Sequence, residues 1–279
     1  MNTYGPGARQ TRASSPWLSV AVMALVLASP GSVSTLAAQK NADTSAFTWS
    51  ATLPGGSWIR VKNLNGSVDV VPASGNKVEV VAEKRWDRGD PRDVRFEILK
   101  DGENVTICAL WDNDREESSC DADSYRHEGN NRGDVEVYFT VRLPAGVKVA
   151  ATTVNGTIDI TGARAEVRAN GVNGGVRVST SNGPVSAKSV NGSVEVEMAT
   201  LTGTEEMSFS SVNGNVILRV PGTFDADLIM STVNGSLRSD FPITLEGRID
   251  PRKLRGTIGK GGRNLKVSTV NGNLEIRKR

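Results

Sequence analysis

A catalytic triad or a histidine general base in this sequence would have to involve His127, because it is the single histidine in the 279 residues. A histidine commonly serves as the general base that activates a serine or cysteine nucleophile. His127 lies beside Glu128 in a polar stretch, and the chain contains no Gly-x-Ser-x-Gly nucleophile motif. We therefore interpret His127 as a solvated loop residue and predict no catalytic residue.

The densest group of possible metal ligands is a set of acidic residues around Cys120. Its members are Asp112, Asp114, Glu116, Glu117, Asp121 and Asp123. Carboxylates at alternate positions can bind calcium, but the calcium-binding loop requires a glycine at its sixth position and a glutamate at its twelfth. Counted from Asp112, those positions hold Glu117 and Asp123. The sequence therefore predicts a charged, solvated loop, with no metal and no other cofactor.

A second set of carboxylates lies in segments where polar and apolar residues alternate. This set consists of Asp69, Asp159, Glu195 and Glu197. Because glycosidases use two carboxylates held several ångströms apart, a carbohydrate-active β-helix enzyme remains the alternative function. Alternation in a strand places every second side chain on the same face. We therefore expect these carboxylates to face solvent and to act as surface charge.

Recognition of phosphate or nucleic acid has little support in the sequence. Residues 259–263, Gly-Lys-Gly-Gly-Arg, are glycine-rich and basic, but no strand–loop–helix pattern surrounds them. The chain carries 33 basic and 31 acidic side chains, so it has no strong overall field that would attract a polyanion. We predict that nucleic acid is not a partner.

The first 38 residues have the features of a secretory signal peptide. Arg9 and Arg12 precede an apolar stretch over residues 17–28, and Pro30, Gly31 and small residues follow it. This stretch is shorter than the roughly 20 apolar residues that a transmembrane helix needs. We predict an exported chain without a transmembrane segment after cleavage, located in the periplasm, at the cell surface or in the medium.

Cys108 and Cys120 are the two cysteines of the chain. An exported protein meets an oxidising compartment, in which a cysteine pair can form a lasting disulfide. We predict that these two residues pair and tether the polar insertion at residues 111–132. Two free thiols are the alternative.

A Val-Asn-Gly unit recurs along the second half of the chain. Its copies are centred on Asn155-Gly156, Asn173-Gly174, Asn191-Gly192, Asn213-Gly214, Asn234-Gly235 and Asn271-Gly272, with intervals of 18, 18, 22, 21 and 37 residues. Asn65-Gly66 is an earlier copy, and Asn182-Gly183 lies half a period from its neighbours. We interpret residues 254–258 as a degenerate copy that divides the longest interval. Because Asn and Gly tolerate the backbone of a tight corner, each pair predicts a turn.

Alternating polar and β-branched residues follow each corner, as in residues 157–160, and this period of two predicts a strand. Asn-Gly is also a strong hairpin signal, so an antiparallel meander or sandwich remains the alternative architecture. A strong corner every 18–22 residues favours a parallel β-solenoid, either a β-helix or a β-roll. Stacked coils would bring the corner asparagines into register, where their amides can form a hydrogen-bonded ladder.

The part of the chain before the regular repeats is less uniform. We divide the mature chain into an N-terminal β-strand region at residues 39–149 and a repeat solenoid at residues 150–279. Alternating segments in the first region predict strands that cap one end of the stack and shield its edge. Three of its four tryptophans, Trp58, Trp86 and Trp111, could anchor a ligand, although we expect two of these three to pack in the core.

The strands and Asn-Gly corners of this sequence resemble those of a bacterial family of exported β-strand-repeat proteins. Its members are labelled as candidate adhesins, and their function is largely unknown. The resemblance rests on the strand and Leu-Pro turn at residues 135–144 and on the full repeat at residues 153–160. The resemblance implies adhesion by analogy. We predict an exported, non-enzymatic scaffold that either binds a surface glycan or an envelope protein or has a structural role in the cell envelope. A fold does not fix a function, and the resemblance supplies no catalytic or binding residue.

Overall fold

A computed structural model describes residues 45–112, 118–126, 134–247, 250 and 252–279. The predicted signal peptide, His127, Asp114, Glu116 and Glu117 lie outside these residues. Among the described residues, none belongs to a helix long and apolar enough to span a membrane. Apart from a short 3₁₀ helix at Pro91–Asp93, the regular structure consists of strands.

The described residues form 23 strands, numbered here in chain order. They are β1 (Ala46–Thr52), β2 (Trp58–Asn65), β3 (Val68–Pro72), β4 (Lys77–Arg85), β5 (Val94–Asp101), β6 (Asn104–Trp111), β7 (Ser119–Cys120), β8 (Tyr125–Arg126), β9 (Glu136–Leu143), β10 (Lys148–Asn155), β11 (Ile158–Ala163), β12 (Val167–Asn173), β13 (Val176–Thr180), β14 (Val185–Asn191), β15 (Val194–Met198), β16 (Met207–Asn213), β17 (Val216–Val220), β18 (Ala226–Asn234), β19 (Leu237–Ser239), β20 (Ile243–Leu245), β21 (Lys253–Ile258), β22 (Asn264–Asn271) and β23 (Leu274–Lys278).

The fold is a parallel β-solenoid, as the corner spacing predicts, and not an antiparallel meander. Each layer contributes one strand to a first sheet and one to a second sheet, and an Asn-Gly corner joins the two strands. In stacking order the seven layers are β2/β3, β10/β11, β12/β13, β14/β15, β16/β17, β22/β23 and β18/β19. Neighbouring layers pair in parallel with their corner asparagines in register.

The core lies between the two sheets and follows from the alternation of residues. In β13, for example, Val176 and Val178 are buried, whereas Arg177 between them is exposed. Because successive strands are about 4.8 Å apart, the same positions of successive layers stack into continuous apolar columns. Val194, Val196 and Met198 continue these columns in β15.

The order of the layers differs from the order of the chain at both ends of the stack. The layer β22/β23 is inserted between β16/β17 and β18/β19. At the other end, β2 lies between β10 and β6 in the first sheet, and β3 lies between β11 and β9 in the second sheet. The predicted boundary at residues 149–150 falls within β10 (Lys148–Asn155). Residues 58–72, on the N-terminal side of that boundary, pair with β10 and β11 as a layer of the stack.

The interpretation of residues 254–258 as a degenerate repeat is wrong. They belong to β21, which pairs in antiparallel orientation with both β18 and β20. Strand β21 therefore covers an end of the first sheet and forms no corner. The 37-residue interval contains no further corner. The layers of Asn234 and Asn271 stack directly on each other, since these two asparagines are register partners.

Antiparallel strands cover the opposite end of the stack. Strand β5 pairs with β6 in the first sheet, and β4 pairs with β9 and β1 in the second. The aromatic rings of Phe47, Phe96 and Phe139 pack against one another beneath these strands, with centroids 4.6 and 6.0 Å apart. The capping strands thus add to the core while they protect the repeat edge.

Candidate functional site

The corner asparagines form a hydrogen-bonded ladder along one edge of the solenoid. Each Oδ1 accepts a hydrogen bond from the Nδ2 of the next asparagine at 2.7–2.9 Å, in the order Asn65, Asn155, Asn173, Asn191, Asn213, Asn271 and Asn234. Asn182 stays outside this ladder, and its Oδ1 accepts hydrogen bonds from Thr202 and from the backbone of Gly183. The ladder ties seven layers together at their corners.

Glycine follows each ladder asparagine because the layers approach closely there. A Cβ atom at Gly174 would overlap the carbonyl oxygen of Gly156, and one at Gly192 would overlap that of Gly174. Gly66, Gly156, Gly214, Gly235 and Gly272 have equivalent backbone contacts to an adjacent layer, whereas Gly183 lies against Ala165. The Asn-Gly pair is thus a structural unit.

A second ladder inside the corner was missed by the sequence analysis. Hydroxyls two positions before the corner asparagine donate to a glycine carbonyl of the adjacent layer. They belong to Thr153, Ser189, Ser211, Thr232 and Thr269, at distances of 2.8–3.1 Å. Gly171 occupies the same position in β12 and has no hydroxyl. The recurring Thr or Ser before Val-Asn-Gly was the available signal.

The polar insertion is partly folded onto the outer face of the first sheet, contrary to the prediction of a solvated loop. A disulfide joins Cys108 to Cys120. The Nζ of Lys62 donates to the carbonyl oxygens of Asp121 and Ser124 at 2.8 Å, and the Tyr125 hydroxyl donates to Ala109. This cover buries Lys62, and burial lowers the pKa of its ammonium group.

The outward carboxylates of the second sheet lie in rows of ion pairs. Asp159 pairs with Arg177 at 3.6 Å, and Glu195 pairs with both Arg177 and Arg219 at 3.9 Å. Glu197 pairs with Arg279 at 2.6 Å. These carboxylates face outward, as the sequence analysis predicts. Their ion pairs with arginines are those of charged residues on a protein surface.

The tryptophans Trp58, Trp86 and Trp111 have different environments. Trp111 is buried, and its Nε1 donates to the carbonyl oxygen of Val135 at 3.3 Å. Trp86 is 41% exposed. Trp58 is half-buried on the outer face of the first sheet, because it alternates with the core residues Ile59 and Val61. Of these three tryptophans, one is buried in the core, fewer than the two expected.

Three cationic side chains surround the Trp58 ring. The Cζ atoms of Arg168 and Arg60 lie 4.7 and 5.6 Å from the ring centroid, and the Nζ of Lys148 lies at 5.4 Å. Glu166 pairs with Arg168 at 2.8 Å and with Lys148 at 3.1 Å. These five residues, called here the Trp58 surface, combine an aromatic face with three positive charges and one negative charge.

Two features of the Trp58 surface favour an anionic ligand. Partial burial raises the pKa of Glu166, but hydrogen bonds from Lys148 and Arg168 bring it below its usual value, so this carboxylate stays ionised. The three cations still exceed it by two charges. In addition, the Nη1 of Arg60 is buried and has no hydrogen-bond partner among the described residues. An unpaired buried donor is costly, and a rotation of the Arg60 side chain that brought Nη1 to a bound anion would remove that cost.

A comparison with models of known protein families identifies the family of this chain. The family model described as Toastrack DUF4097 matches residues 128–277, which is more than half of the sequence. The chain belongs to the Toastrack family. The matched range covers six of the seven Toastrack layers seen here, since β2/β3 precedes it.

The comparison with solved structures finds matches at low sequence identity. A candidate cell adhesion protein from Clostridium sporogenes has 7% identity and a TM-score of 0.46, with 84% of this chain and 99% of that chain covered. A candidate adhesin from Bacteroides fragilis has 10% identity and a TM-score of 0.30, with 85% and 99% covered. The comparison with curated proteins finds no match.

Proposed function

We propose that this protein is an exported, non-enzymatic scaffold that binds an anionic surface glycan through the Trp58 surface, in the manner of an adhesin. The observation that carries the proposal is the half-buried Trp58 ring with three cations within 5.6 Å of its centroid. Sugar rings present C–H faces that pack on an indole, and the cations would pair with carboxylate or sulfate groups.

The solenoid supports this role by holding the cluster rigidly. Trp58 and Lys148 are register partners on β2 and β10, and Arg168 follows on β12. Because three layers supply the five side chains, their spacing is fixed by backbone pairing and not by a flexible loop. A preorganised surface loses less conformational entropy on binding.

Export is supported by the signal-like first 38 residues and by the disulfide. The Cys108–Cys120 bond would persist in an oxidising compartment and not in the cytosol. Mass spectrometry of protein recovered from the periplasm and the medium tests this part. A mature chain that starts near residue 38 or 39 is expected, and intact cytosolic protein would contradict export.

Binding is tested on an array of anionic and neutral glycans with the purified protein. Anionic glycans should be retained and their neutral counterparts should not. Retention should weaken as ionic strength rises from about 0.05 to 0.5 M, because salt screens exposed charges. Analysis of released sugars on the same samples examines the alternative of a carbohydrate-active enzyme, for which product release would be decisive.

Two matched variants connect binding to the site. Trp58→Ala should weaken retention by about tenfold or more, as expected for a central aromatic contact. Trp86→Ala removes an exposed tryptophan elsewhere and should leave retention unchanged. Equal losses in both variants, or equal retention of neutral glycans, would refute the proposal, provided that both variants melt like the parent.

A further inference from the structure

A cavity of about 540 Å³ lies where three inter-layer connections meet, on the side of the first sheet opposite to the asparagine ladder. The connections are residues 199–206, 221–225 and 259–263. Its walls include Leu201, Thr204, Thr223, Phe224 and Arg263. The volume falls within the range of roughly 300–1,000 Å³ that is typical of small-molecule sites.

Arg263 is the unusual residue of this cavity because it is buried, with 8% of its surface exposed. It shares the inward orientation of Leu265 and Val267 in β22. Its neighbour in the next layer of the stack is Ala226, since Asp227 is the register partner of Asn264. A charged side chain therefore occupies a core-facing position at which the adjacent layer has a methyl group.

Among the residues that the structure describes, the guanidinium of Arg263 has a single hydrogen-bond partner. One Nη2–H donates to the carbonyl oxygen of Gly203, and no ion pair to Arg263 occurs among the described residues. Asp225 also lines the cavity, and its carboxylate accepts a hydrogen bond from the Lys260 backbone at 2.9 Å without forming an ion pair with Arg263. Glu205 is exposed beside Gly203. Burial of an unpaired cation is costly, so the cavity is suited to an anion.

We propose that this cavity binds a small organic carboxylate, such as a sugar acid, whose carboxylate pairs with Arg263. A guanidinium has five N–H donors in a planar fork that matches a carboxylate. The apolar walls at Phe224 and Leu201 and the hydroxyls of Thr204 and Thr223 would hold the remainder of the molecule.

This site is separate from the Trp58 surface. Arg263 leads into the sixth layer and Trp58 lies in the first, so five spacings of about 4.8 Å, roughly 24 Å, separate their layers. Failure of glycan retention at the Trp58 surface would therefore leave this inference intact, and the reverse also holds.

Isothermal titration of the full chain tests the site, with glucuronate as the probe and glucose as its neutral counterpart. Glucuronate should bind and glucose should not. Inorganic phosphate should bind more weakly than glucuronate, because it cannot contact the apolar walls. Absence of glucuronate binding, or phosphate binding that is equally tight, would overturn the assignment.

Arg263→Met should weaken glucuronate binding by about tenfold or more, since a charged hydrogen-bond donor is lost. The control Arg238→Gln removes an exposed charge of the same sign and should leave the affinity unchanged. Unaltered binding by Arg263→Met would refute the role of this residue. If Arg263→Met fails to fold, the variant Glu205→Gln tests the site instead. Removal of the nearby carboxylate should tighten binding, and unchanged affinity would refute the proposal.

Discussion

The gap in the hydroxyl ladder at Gly171 can be filled by a single substitution. In five other layers a Ser or Thr at this position donates to a glycine carbonyl of the adjacent layer. Gly171 is the register partner of Thr153, so the carbonyl of Gly156 in the preceding layer lacks the equivalent hydroxyl donor. Gly171→Ser should restore this hydrogen bond and stabilise the protein.

The magnitude follows from three contributions. A buried hydrogen bond adds about 0.5–1.5 kcal/mol. Replacement of a glycine whose backbone is compatible with other residues adds about 0.4–1 kcal/mol through the unfolded chain, and Gly171 has no positive φ. Against these, a Cβ atom would lie 3.3 Å from the Cγ2 of Val176, a tight contact that costs a few tenths of a kcal/mol. The net expectation is a stabilisation of about 1 kcal/mol.

Thermal or urea unfolding of the parent, Gly171→Ser and Gly171→Ala measures this effect. For a chain of this size about 1 kcal/mol corresponds to a rise of roughly 2–4 °C in melting temperature. The alanine variant has the same Cβ contact without the hydroxyl, so the difference between the two variants isolates the hydrogen bond. A serine variant no more stable than the alanine variant would refute the ladder as a source of stability.

Three further predictions concern other parts of the structure. Asn191→Ala removes one donated and one accepted ladder bond and should lower the free energy of unfolding by about 1 kcal/mol, measured by urea denaturation. Reduction of the Cys108–Cys120 bond, which closes a separation of 12 residues, should cost about 2–3 kcal/mol, and an unchanged melting temperature under reductant would contradict this. Burial and the adjacent Asp159 raise the pKa of Asp69, whereas Ser67 opposes the shift, so ionised Asp69 destabilises the fold. Asp69→Asn should therefore stabilise the protein at neutral pH by less than about 1 kcal/mol, and this advantage should disappear as the pH falls below about 4, where the carboxyl is protonated in both states.

The solenoid and its asparagine ladder could be predicted because their signals are local. Each Asn-Gly pair marks a corner, and alternation around it marks the strands. The position of β22 could not be predicted in this way. The strands before Asn234 and Asn271 have similar patterns, so only long-range pairing decides which of them meets β16. Alternation in residues 254–258 is likewise compatible with a parallel or an antiparallel partner.

The Trp58 surface could likewise be predicted only in part from the sequence. A tryptophan anchor in the front half was a reasonable expectation from composition, but its setting depends on register. Lys148 lies 90 positions after Trp58 in the chain and becomes its direct neighbour because β10 pairs with β2. The cavity at Arg263 depends on how three loops converge, and its glycine-rich segment predicts only a turn.

The insertion of β22/β23 inside the stack has a consequence for folding during synthesis. Residues 226–239 leave the ribosome before residues 264–278, which must separate them from β16. Because both segments carry the same Val-Asn-Gly corner, the earlier one can pair with the exposed edge of β16 as soon as it emerges. If that pairing forms, we expect the segment to be released before β22 can pair with β16. The similarity of the repeats, which lets neighbouring layers pair, thus also allows β18 to compete with β22 for the edge of β16.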